Sequence, residues 1–284
     1  MKKKFREILF VLIPFVLLSC RMVSKDANTP TPVPGIISTP LPVEITDPKG
    51  VSMRLVPAGE FTMGSDSDSD LRNAAHLVHL DAFYMDTYEV TNALYESCVR
   101  SGVCDPPHEA KSYFRPSYYG NPQFDDFPVI YVDWTMAKTY CEIWRGARLP
   151  TEAEWEKAAR GTDGRSYPWG EGIRCDQANY DGDPDFALYC VGETSAVGSY
   201  EDSKSPHGLY DMAGNVFEWT SSLNQSYPYD AADGREDPTR GGSRVIRGGA
   251  WSQGPNDQQV FYRSWVGPDQ YESEIGFRCA SSIQ

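Results

Sequence analysis

Cysteine is the residue type that most constrains how this chain can fold. Seven cysteines occur in 284 residues, and one of them, Cys20, belongs to the leader described below. The remaining six are an even number, which in an exported protein favours disulfides over free thiols or a zinc site. No Cys-x-x-Cys pair occurs, so zinc-binding and thioredoxin-like interpretations are disfavoured. The six cysteines are Cys98, Cys104, Cys141, Cys175, Cys190 and Cys279.

Spacing alone suggests two local bridges. Cys98 and Cys104 flank the dipeptide Ser-Gly, and Cys175 and Cys190 flank an acidic loop. Both pairs are close enough in sequence for a short bridge. Six cysteines allow about 15 pairings, so the remaining connectivity stays open at this level.

The first 20 residues have the features of a bacterial lipoprotein signal. Basic residues precede an apolar run from Ile8 to Leu18, and Leu-Leu-Ser stands directly before Cys20. We expect export and cleavage before Cys20, which would carry the lipid. The alternative is an ordinary signal or a short anchor helix with an incidental cysteine, but the apolar run is too short to span a bilayer well. The expected location is the bacterial cell envelope, outside the cytoplasm, with membrane attachment through the lipid alone.

Residues 21–45 have the composition of a tether. This segment interleaves five prolines with Thr and Ser, which favours extended polyproline II and cannot build a core. The folded domain is predicted to cover residues 46–284, a length sufficient for one large domain or two small ones.

The chain is strongly acidic. Its formal charge is −14, from 26 basic and 40 acidic residues. The leader contains four of the basic residues and Glu7, so the mature chain has an acidic excess of 17. Such a surface repels nucleic acid and anionic lipid, so nucleic acid is not an expected partner. An acidic excess is also compatible with bound cations.

Helical periodicity is scarce. Apolar residues at spacings of three, four and three predict one helix that ends at Gly146 and turns Cys141 inward. A capping box formed by Thr151 and Glu154 predicts a second helix, which Gly161 stops. The apolar positions of the first helix are Trp134, Ala137, Cys141 and Trp144.

A third helix is predicted to begin at Thr91, and short strand-like runs surround the three helices. The runs cover residues 53–64, 77–90, 127–134, 243–251 and 276–280. Gly, Pro, Asn, Asp and aromatic residues make up most of the remainder, and no internal repeat occurs. The pattern is typical of a loop-rich α+β domain.

From about residue 50 to the C-terminus the chain resembles the formylglycine-generating enzyme family, also called sulfatase-modifying factors. The most specific stretches are RLPTEAEWE and GLYDMAGNVFEW, accompanied in family order by LVPAGEFTMGSD, RVIRGGAW and GFRCA. The resemblance implies the compact, loop-rich fold of the family, which is related to the C-type-lectin fold. This fold serves oxidases, sulfoxide synthases and pure binding proteins, so it leaves the function open.

The resemblance also implies one long-range disulfide. Members of the family bridge the cysteine of the helix before RLPTEAEWE to the cysteine of GFRC, which correspond to Cys141 and Cys279 here. The two local pairs described above then remain as short bridges.

Asp211 and Glu218 are candidates for a calcium site. Taken alone, two carboxylates that flank Gly214 suit Ca²⁺, yet a solvated acidic turn is the commoner meaning of such a sequence. The resemblance favours calcium, because the family site uses these two side chains together with the carbonyls that match Gly214 and Val216. Family oxidases have Asn at the position of Asp211, a change that keeps an oxygen ligand and adds charge.

A second calcium site is implied less completely. The family uses an Asn and the next carbonyl, which match Asn179 and Tyr180, together with a downstream Asp. Tyr189 stands where that Asp is expected. The acids that remain nearby are Asp181, Asp183 and Asp185.

The copper chemistry of the family has no ligands here. Formylglycine-generating enzymes oxidise a substrate cysteine with Cu(I) held by two thiolates, soft ligands for a soft ion, between an RGGSY-like turn and an ARS-like segment. The matching interval, residues 247–264, is shorter and contains no cysteine. Ala250 replaces the serine of the turn, and Phe217 replaces the tryptophan of NVWEW. We therefore expect neither bound copper nor catalytic residues for this oxidation. His76 and His79 have the spacing of a partial metal pair, but His76 matches a framework position and a structural role is favoured.

The same interval predicts a ligand cleft. Aromatic residues alternate there with Gln, Asn and Asp, a mixture that suits stacking and hydrogen bonding to a peptide, protein or glycan. The alternative is that the aromatic residues pack the core. The candidate cleft residues are Phe217, Trp251, Gln253, Asn256, Gln258, Arg263 and Trp265.

The leading hypothesis is a lipid-anchored, calcium-stabilised binding or accessory module. The alternative is an enzyme, either the family oxidoreductase that converts a protein cysteine to formylglycine or a catalyst of another reaction in the same cleft.

Overall fold

A computed structural model describes residues 40–66, 74–182 and 188–283. The predicted leader with Cys20 and most of the predicted tether lie outside the described residues, as do Asp183 and Asp185. Residues from Leu41 onward form one compact unit. None of the helices in the described ranges combines the length and the apolar character needed to cross a bilayer.

Ten short strands in the described part of the chain form three sheets. In chain order the strands are β1 Glu44–Thr46, β2 Ser52–Val56, β3 Gly59–Met63, β4 His76–Leu80, β5 Phe83–Asp86, β6 Phe217–Leu223, β7 Arg244–Arg247, β8 Ser264–Val266, β9 Ile275–Gly276 and β10 Ala280–Ser282. The first sheet has the order β1-β2-β5-β10, the second pairs β3 with β4, and the third has the order β8-β7-β6-β9. Only β6 and β9 pair in parallel within these sheets.

The first sheet joins both ends of the domain. β10 pairs with β5, and β1 pairs with β2 through the partners Glu44 with Arg54 and Ile45 with Met53. The predicted junction between tether and domain, between residues 45 and 46, therefore falls inside β1.

Residues 127–134 do not form a strand, contrary to the prediction from sequence. The N–H of Val129 donates to the carbonyl of Val90 at 2.8 Å, but no ladder follows. Tyr131 has a φ of 58°, which interrupts an extended chain. The apolar run is buried against the core as an irregular segment, a case that periodicity cannot separate from a buried strand. The other four predicted runs overlap the strands above.

Three α-helices are present in the described residues: α1 Asn92–Arg100, α2 Trp134–Thr139 and α3 Glu152–Arg160. Thr91 caps α1, since its hydroxyl accepts the N–H of Leu94 at 3.3 Å. The capping box predicted for α3 is present, and α3 ends at Gly161 with a φ of 71°. Short 3₁₀ turns occur at Pro122–Phe124 and Pro255–Gln258.

The helix predicted to end at Gly146 is present, but its second half is π-helical and not α-helical. α2 stops at Thr139, and the chain continues as a π-helical turn, Tyr140–Trp144. Arg145, which follows this turn, pairs with the buried Asp86 at 3.0 Å. This long-range ion pair is invisible to helical periodicity. Cys141 is fully buried, as predicted.

All three predicted disulfides are confirmed. The Cα–Cα separations are 5.4 Å for Cys98–Cys104, 5.6 Å for Cys141–Cys279 and 5.1 Å for Cys175–Cys190. Cys141–Cys279 spans 138 residues, so it restricts the unfolded chain by an amount on the order of 5 kcal/mol in the loop-entropy model. The largest apolar cluster of the domain includes this bridge together with Trp219.

α3 is the most deeply buried helix, although it is rich in charge. All nine of its residues are buried. Glu152 binds Arg263, and Glu156 binds Arg247. A buried charge that loses its partner costs several kcal/mol, so these pairs hold α3 in one position against the strands.

His207 provides a test of the packing around α3. Burial, with the charges of Lys157 and Arg165 nearby, lowers the pKa of His207 to about 4. An unfolded histidine has a pKa of about 6.5 and binds a proton more readily, so the neutral form contributes stability above that pH. This contribution is lost as the pH falls from about 6.5 towards 4. We expect the free energy of unfolding to fall by about 1–2 kcal/mol between pH 8 and pH 5 because of the protonation of His207 in the unfolded chain.

Denaturant titrations at both pH values should show that His207→Gln loses less stability on acidification than the wild type. His79→Gln, which changes an exposed histidine of β4, is the matched control and should behave as the wild type. Equal losses for the wild type and His207→Gln would contradict the assignment.

Candidate functional site

Three of the predicted cleft residues are turned into the protein, so the predicted set does not line one opening. Phe217 is buried in the largest apolar cluster. Arg263 is buried and binds Glu152 through Nη2 at 2.8 Å. Gln258 is fully buried, and its amide donates to the carbonyl of Ala250 at 3.1 Å. Arg263 and the amide N–H group of Gln258 bind partners within the protein, which corrects the prediction of these two residues as ligand contacts.

The other predicted cleft residues are dispersed. Trp265 is 42% exposed on β8, opposite Val245 of β7. Asn256 is exposed in the second 3₁₀ turn. Gln253 is half-buried, whereas Trp251 is only 2% exposed. Of these residues, Trp251 is the one that belongs to the aromatic surface described below.

The turn after β7 explains why Trp251 lies where it does. Gly249 has a φ of 73°, and a Cβ at this position would lie 2.1 Å from Oε1 of Gln258. Only glycine allows the chain to reverse there with Gln258 packed on the turn. The N–H of Trp251 then donates to the carbonyl of Asn215 at 3.0 Å, which fixes the indole beneath the surface.

Three aromatic side chains from other loops cover the indole of Trp251. Ring centroids of Tyr113, Phe114 and Tyr189 lie 5.8, 6.4 and 5.7 Å from it. Tyr113 is 64% and Phe114 66% exposed, which is unusual for adjacent large side chains. We call Tyr113, Phe114, Tyr189 and Trp251 the aromatic face. The exposed Leu188 and Val191 flank Tyr189 in the chain, so the apolar surface extends beyond the rings.

Glu193 fixes the two loops that carry the exposed rings. Its Oε1 accepts from the hydroxyl of Ser112 at 2.7 Å and from the N–H of Phe114 at 2.5 Å. Its Oε2 pairs with Nε of Arg115 at 2.9 Å. Glu193 follows Tyr189 closely in the chain, so one buried carboxylate joins both loops.

Covalent and main-chain bonds fix the second loop further. Cys175–Cys190 closes it, and the N–H of Cys190 donates to the carbonyl of Tyr180 at 2.9 Å. The N–H of Asp181 donates to the carbonyl of Gln253 at 2.9 Å. The described residues that carry the aromatic face are thus held by a disulfide and by hydrogen bonds, an arrangement suited to binding because these residues lose little freedom on association.

Two carboxylates, those of Glu274 and Glu109, act on Gln253 and Tyr131. Glu274 accepts from the amide of Gln253 at 3.3 Å. Burial raises the pKa of Tyr131, and the negative charges of Glu109 and Glu274 raise it further. A ligand that carries positive charge would be electrostatically complementary to these carboxylates.

Tyr113 and Phe114 are not among the site residues predicted from sequence. Tyr189 enters that prediction only as a departure from the family pattern. The sequence contains one indication that these rings are exposed, an adjacent Tyr-Phe pair in a segment without helical or strand periodicity. Such a segment has no core-facing side that could bury both rings.

The two segments predicted to bind calcium are in contact. Asp211, Gly214 and Asn215 have φ values of 56°, 84° and 66°, which form a tight left-handed turn. A Cβ on Gly214 would lie 2.3 Å from the carbonyl oxygen of Asn179, and the N–H of Asn215 donates to that oxygen at 2.8 Å. Glycine at 214 is therefore required for this approach.

The family model described as the sulfatase-modifying factor enzyme 1-like domain matches residues 41–283. This chain belongs to the sulfatase-modifying factor family. The predicted family is confirmed, and so is the predicted class of a mixed fold with few helices and short strands.

Relatives of this family member carry different names. It is 32% identical to the formylglycine-generating enzyme of Mus musculus, over 91% of this chain and 80% of the mouse protein. It is 31% identical to the inactive Cα-formylglycine-generating enzyme 2 of Bos taurus, over 84% of this chain and 91% of the bovine protein. It is also 34% identical to the serine/threonine-protein kinase pkn1 of Chlamydia pneumoniae, over 87% of this chain but only 41% of that protein. Among solved structures, PvdO from Pseudomonas aeruginosa superposes with a TM-score of 0.68 at 27% identity, over 86% of this chain and 100% of that one.

In this sulfatase-modifying factor protein, Glu218 is engaged on both carboxylate oxygens. Arg278 binds Oε1 through Nη2 and Oε2 through Nε, each at 2.7 Å, and the indole of Trp155 donates to Oε2 at 2.8 Å. Asp211 accepts from the N–H of Gly198 at 2.7 Å. These carboxylates are buried with a guanidinium rather than solvated, which differs from an acidic turn at the surface.

Burial leaves negative charge uncompensated around Asp211. The carboxylates of Glu89, Asp211 and Glu218 influence one another, and Arg278 is the cation that they share. Burial raises the pKa of Asp211 to about 6 and raises the pKa of Glu89 well above its usual range. Neighbouring carboxylates raise both pKa values further. A cation near Asp211 would relieve this cost.

The predicted calcium ligands differ in how well their surroundings suit an ion. Oδ1 of Asn179 is buried without a hydrogen-bond partner, as expected for a group that can accept an ion. Glu218 fits less well, because Arg278 occupies both of its oxygens. Within residues 40–66, 74–182 and 188–283, no three His, Cys, Asp or Glu side chains form a metal-binding group. A site here would therefore depend on backbone carbonyls and amide oxygens together with Asp211.

No free thiol is present among the described residues. All six cysteines there are in disulfides. His76 is also committed, since Nδ1 lies 2.9 Å from the carbonyl of Ala74 and Nε2 accepts the N–H of Tyr229 at 2.8 Å. This histidine has the structural role expected from sequence.

Proposed function

We propose that this protein is a non-catalytic binding member of the sulfatase-modifying factor family, anchored outside the cytoplasm by lipid on Cys20, and that it captures its ligand on the aromatic face. The observation that carries the proposal is the pair of exposed rings, Tyr113 and Phe114, on loops that Glu193 holds in place. Contiguous apolar side chains that are held in an exposed position are typical of interaction sites.

The alternative of oxidase activity is less well supported. Oxidation in the manner of formylglycine-generating enzymes requires two thiolates beside the turn that carries Ala250, and residues 247–264 contain no cysteine. Sequence identity does not discriminate, because the chain is 32% identical to a relative named as an enzyme and 31% identical to one named inactive. The choice between a binding protein and an oxidase therefore rests on the missing thiolate ligands for copper.

Among a peptide, a protein and a glycan, the surroundings of the aromatic face favour a polypeptide with basic residues. Glu109 and Glu274 act electrostatically on Tyr131, Glu274 also accepts from Gln253 two residues after Trp251, and the mature chain is acidic as a whole. Basic side chains can pair with these carboxylates while their neighbours stack on Tyr113 and Phe114.

Replacement of the exposed rings should remove binding. We expect immobilised basic peptides to bind more tightly than acidic peptides of equal length, with an affinity that falls as salt increases. The double substitution Tyr113→Ser and Phe114→Ser should weaken binding at least about tenfold, as measured by surface plasmon resonance.

The matched control is Leu77→Ser with Ile143→Ser, which removes two exposed apolar side chains outside the aromatic face. This control should bind as the wild type does. Binding of acidic peptides or glycans in preference to basic peptides, or equal binding by both double variants, would reject the proposed site.

No formylglycine should form on a cysteine peptide of the sulfatase type, with or without added copper. The reason is the lack of thiolate ligands for Cu(I), since amide side chains such as Gln253 are poor ligands for this ion. Aldehyde-specific labelling followed by mass spectrometry measures the product. Aldehyde that requires the intact domain would establish the enzymatic alternative instead.

We propose in addition that Ca²⁺ binds at Asp211 with the carbonyls of Gly214 and Val216, and that the neighbouring Asn179–Tyr180 segment provides further oxygens. The support is the family resemblance, the excess of buried carboxylates and the unpartnered Oδ1 of Asn179. Glu218 takes part through its pair with Arg278 or by exchanging one oxygen to the ion.

Chelation should lower the melting temperature. At a free calcium concentration about 100 times the Kd, binding adds about 2.7 kcal/mol, or roughly 5–10 °C for a domain of this size. Asp211→Ala should abolish the difference between calcium and chelator, whereas Asp211→Asn, which keeps an oxygen ligand, should retain part of it. An identical melting curve for the wild type in calcium and in excess chelator would refute the structural ion.

A further inference from the structure

A cavity of about 240 Å³ lies between α2, the segment before α3, β6 and the loop that follows residue 235. It shares no lining residue with the aromatic face. Its walls include Trp134, Leu149, Glu154, Ser221, Glu236 and Pro238.

The apolar part of this cavity is rigid. The indole of Trp134 donates to the carbonyl of Thr220 at 2.9 Å, and the guanidinium of Arg244 stacks 4.1 Å from the ring centroid. Leu149 and Pro238 add apolar surface at the wall. A short alkyl chain could therefore bury itself here without reorganising the protein.

The cations at the wall have few hydrogen bonds left to offer. Lys138 pairs with Glu142 at 2.5 Å. Arg148 binds both oxygens of Glu154 at 2.6 Å and also donates to the carbonyl of Leu149. An anionic ligand would have to break these pairs before it could bind.

Glu236 is different, because it pairs with no cation within 4.0 Å among the described residues. Its oxygens accept hydroxyl groups instead, from Ser221 at 2.7 Å, Ser222 at 2.5 Å and Tyr229 at 3.0 Å. A carboxylate offers about four acceptor positions, so one position remains on Oε2. Burial raises the pKa of Glu236, which means that its negative charge lacks full compensation. Arg148 and Arg244 interact with that charge only at longer range.

We propose that this cavity binds a primary alkylammonium group, with the nitrogen donating to Glu236 and the alkyl chain lying on Trp134 and Leu149. The nitrogen supplies the donor and the positive charge that Glu236 lacks, and this charge-assisted bond favours an ammonium group over a neutral alcohol. A side chain of the size of lysine fits within the cavity of about 240 Å³.

A second cavity shows where a larger ligand would extend. It has a volume of about 430 Å³ and shares Arg148, Thr151, Glu154 and Glu236 with the first. Glu236 thus stands at the junction of both cavities. The ammonium group could belong to a free amine held in the first cavity, or to a lysine whose peptide continues into the second.

Calorimetric titration of the whole mature domain with four probes tests the proposal. The probes are pentylamine, pentanol, pentanoate and an acetylated lysine N-methylamide. Pentylamine should bind, and pentanol and pentanoate should bind at least about tenfold more weakly, because neither donates to Glu236 with positive charge. Tighter binding of the lysine derivative than of pentylamine would identify a peptide source, and the reverse would identify a free amine.

The substitution Glu236→Gln should weaken pentylamine at least about tenfold while it preserves the shape of the side chain. Glu60→Gln, at an exposed position of β3 outside both cavities, is the matched control and should leave affinity unchanged. The indole N–H resonance of Trp134 should shift on pentylamine addition, which provides a second readout if Glu236→Gln folds poorly. Binding of pentanol or pentanoate as tight as that of pentylamine, an unshifted Trp134 resonance, or equal affinity for Glu236→Gln would overturn the proposal.

Discussion

The ion pair between Glu218 and Arg278 is the interaction on which the rest of this structure depends. Both side chains are fully buried, and the pair links β6 to the segment between β9 and β10. Trp155 of α3 donates to the same carboxylate, and Arg278 donates in turn to the carbonyls of Asp86 and Tyr210. Loss of either partner would leave a charge without compensation in the centre of the domain, a change that costs about 3–5 kcal/mol. This pair therefore connects the segment that precedes Asp211 with α3.

Buried charge recurs around this centre, where a regular layered core would be expected. Strands are short, and α3 inserts Glu152 and Glu156 against Arg263 and Arg247. Such pairs add little net stability compared with apolar packing, but they are directional and accept few alternative arrangements. A domain with long irregular segments gains from this property, because its loops need fixed attachment points more than they need additional apolar area.

Sequence reasoning succeeded where the determinant is local or covalent. The spacing of Thr151 and Glu154 predicted the capping box, the spacing of four cysteines suggested the two local bridges, and the family resemblance implied the long-range bridge. It failed where tertiary contacts override a local pattern. Residues 127–134 look like a strand but are held by single main-chain bonds, and the chain after Thr139 adopts a π turn before the Arg145–Asp86 pair.

The candidate site was predicted in part for the same reason. Trp251 was identified because it lies in a motif, whereas Gln258 and Arg263 were misassigned because polar residues in a loop do not reveal that their partners lie inside the protein. Tyr113 and Phe114 reach the same surface from a distant part of the chain, where bonds from their loop to Glu193 and Thr194 hold them.

The loops of the aromatic face are held by Glu193, Arg115 and main-chain groups. The conformation of these loops is therefore independent of which side chains occupy the exposed positions. The exposed side chains of Tyr113, Phe114 and Tyr189 contact one another and Trp251 as rings, while the hydrogen bonds that define the loops come from other atoms. Substitutions at these three positions can therefore change the chemistry of the exposed surface while the hydrogen bonds that hold its loops stay in place.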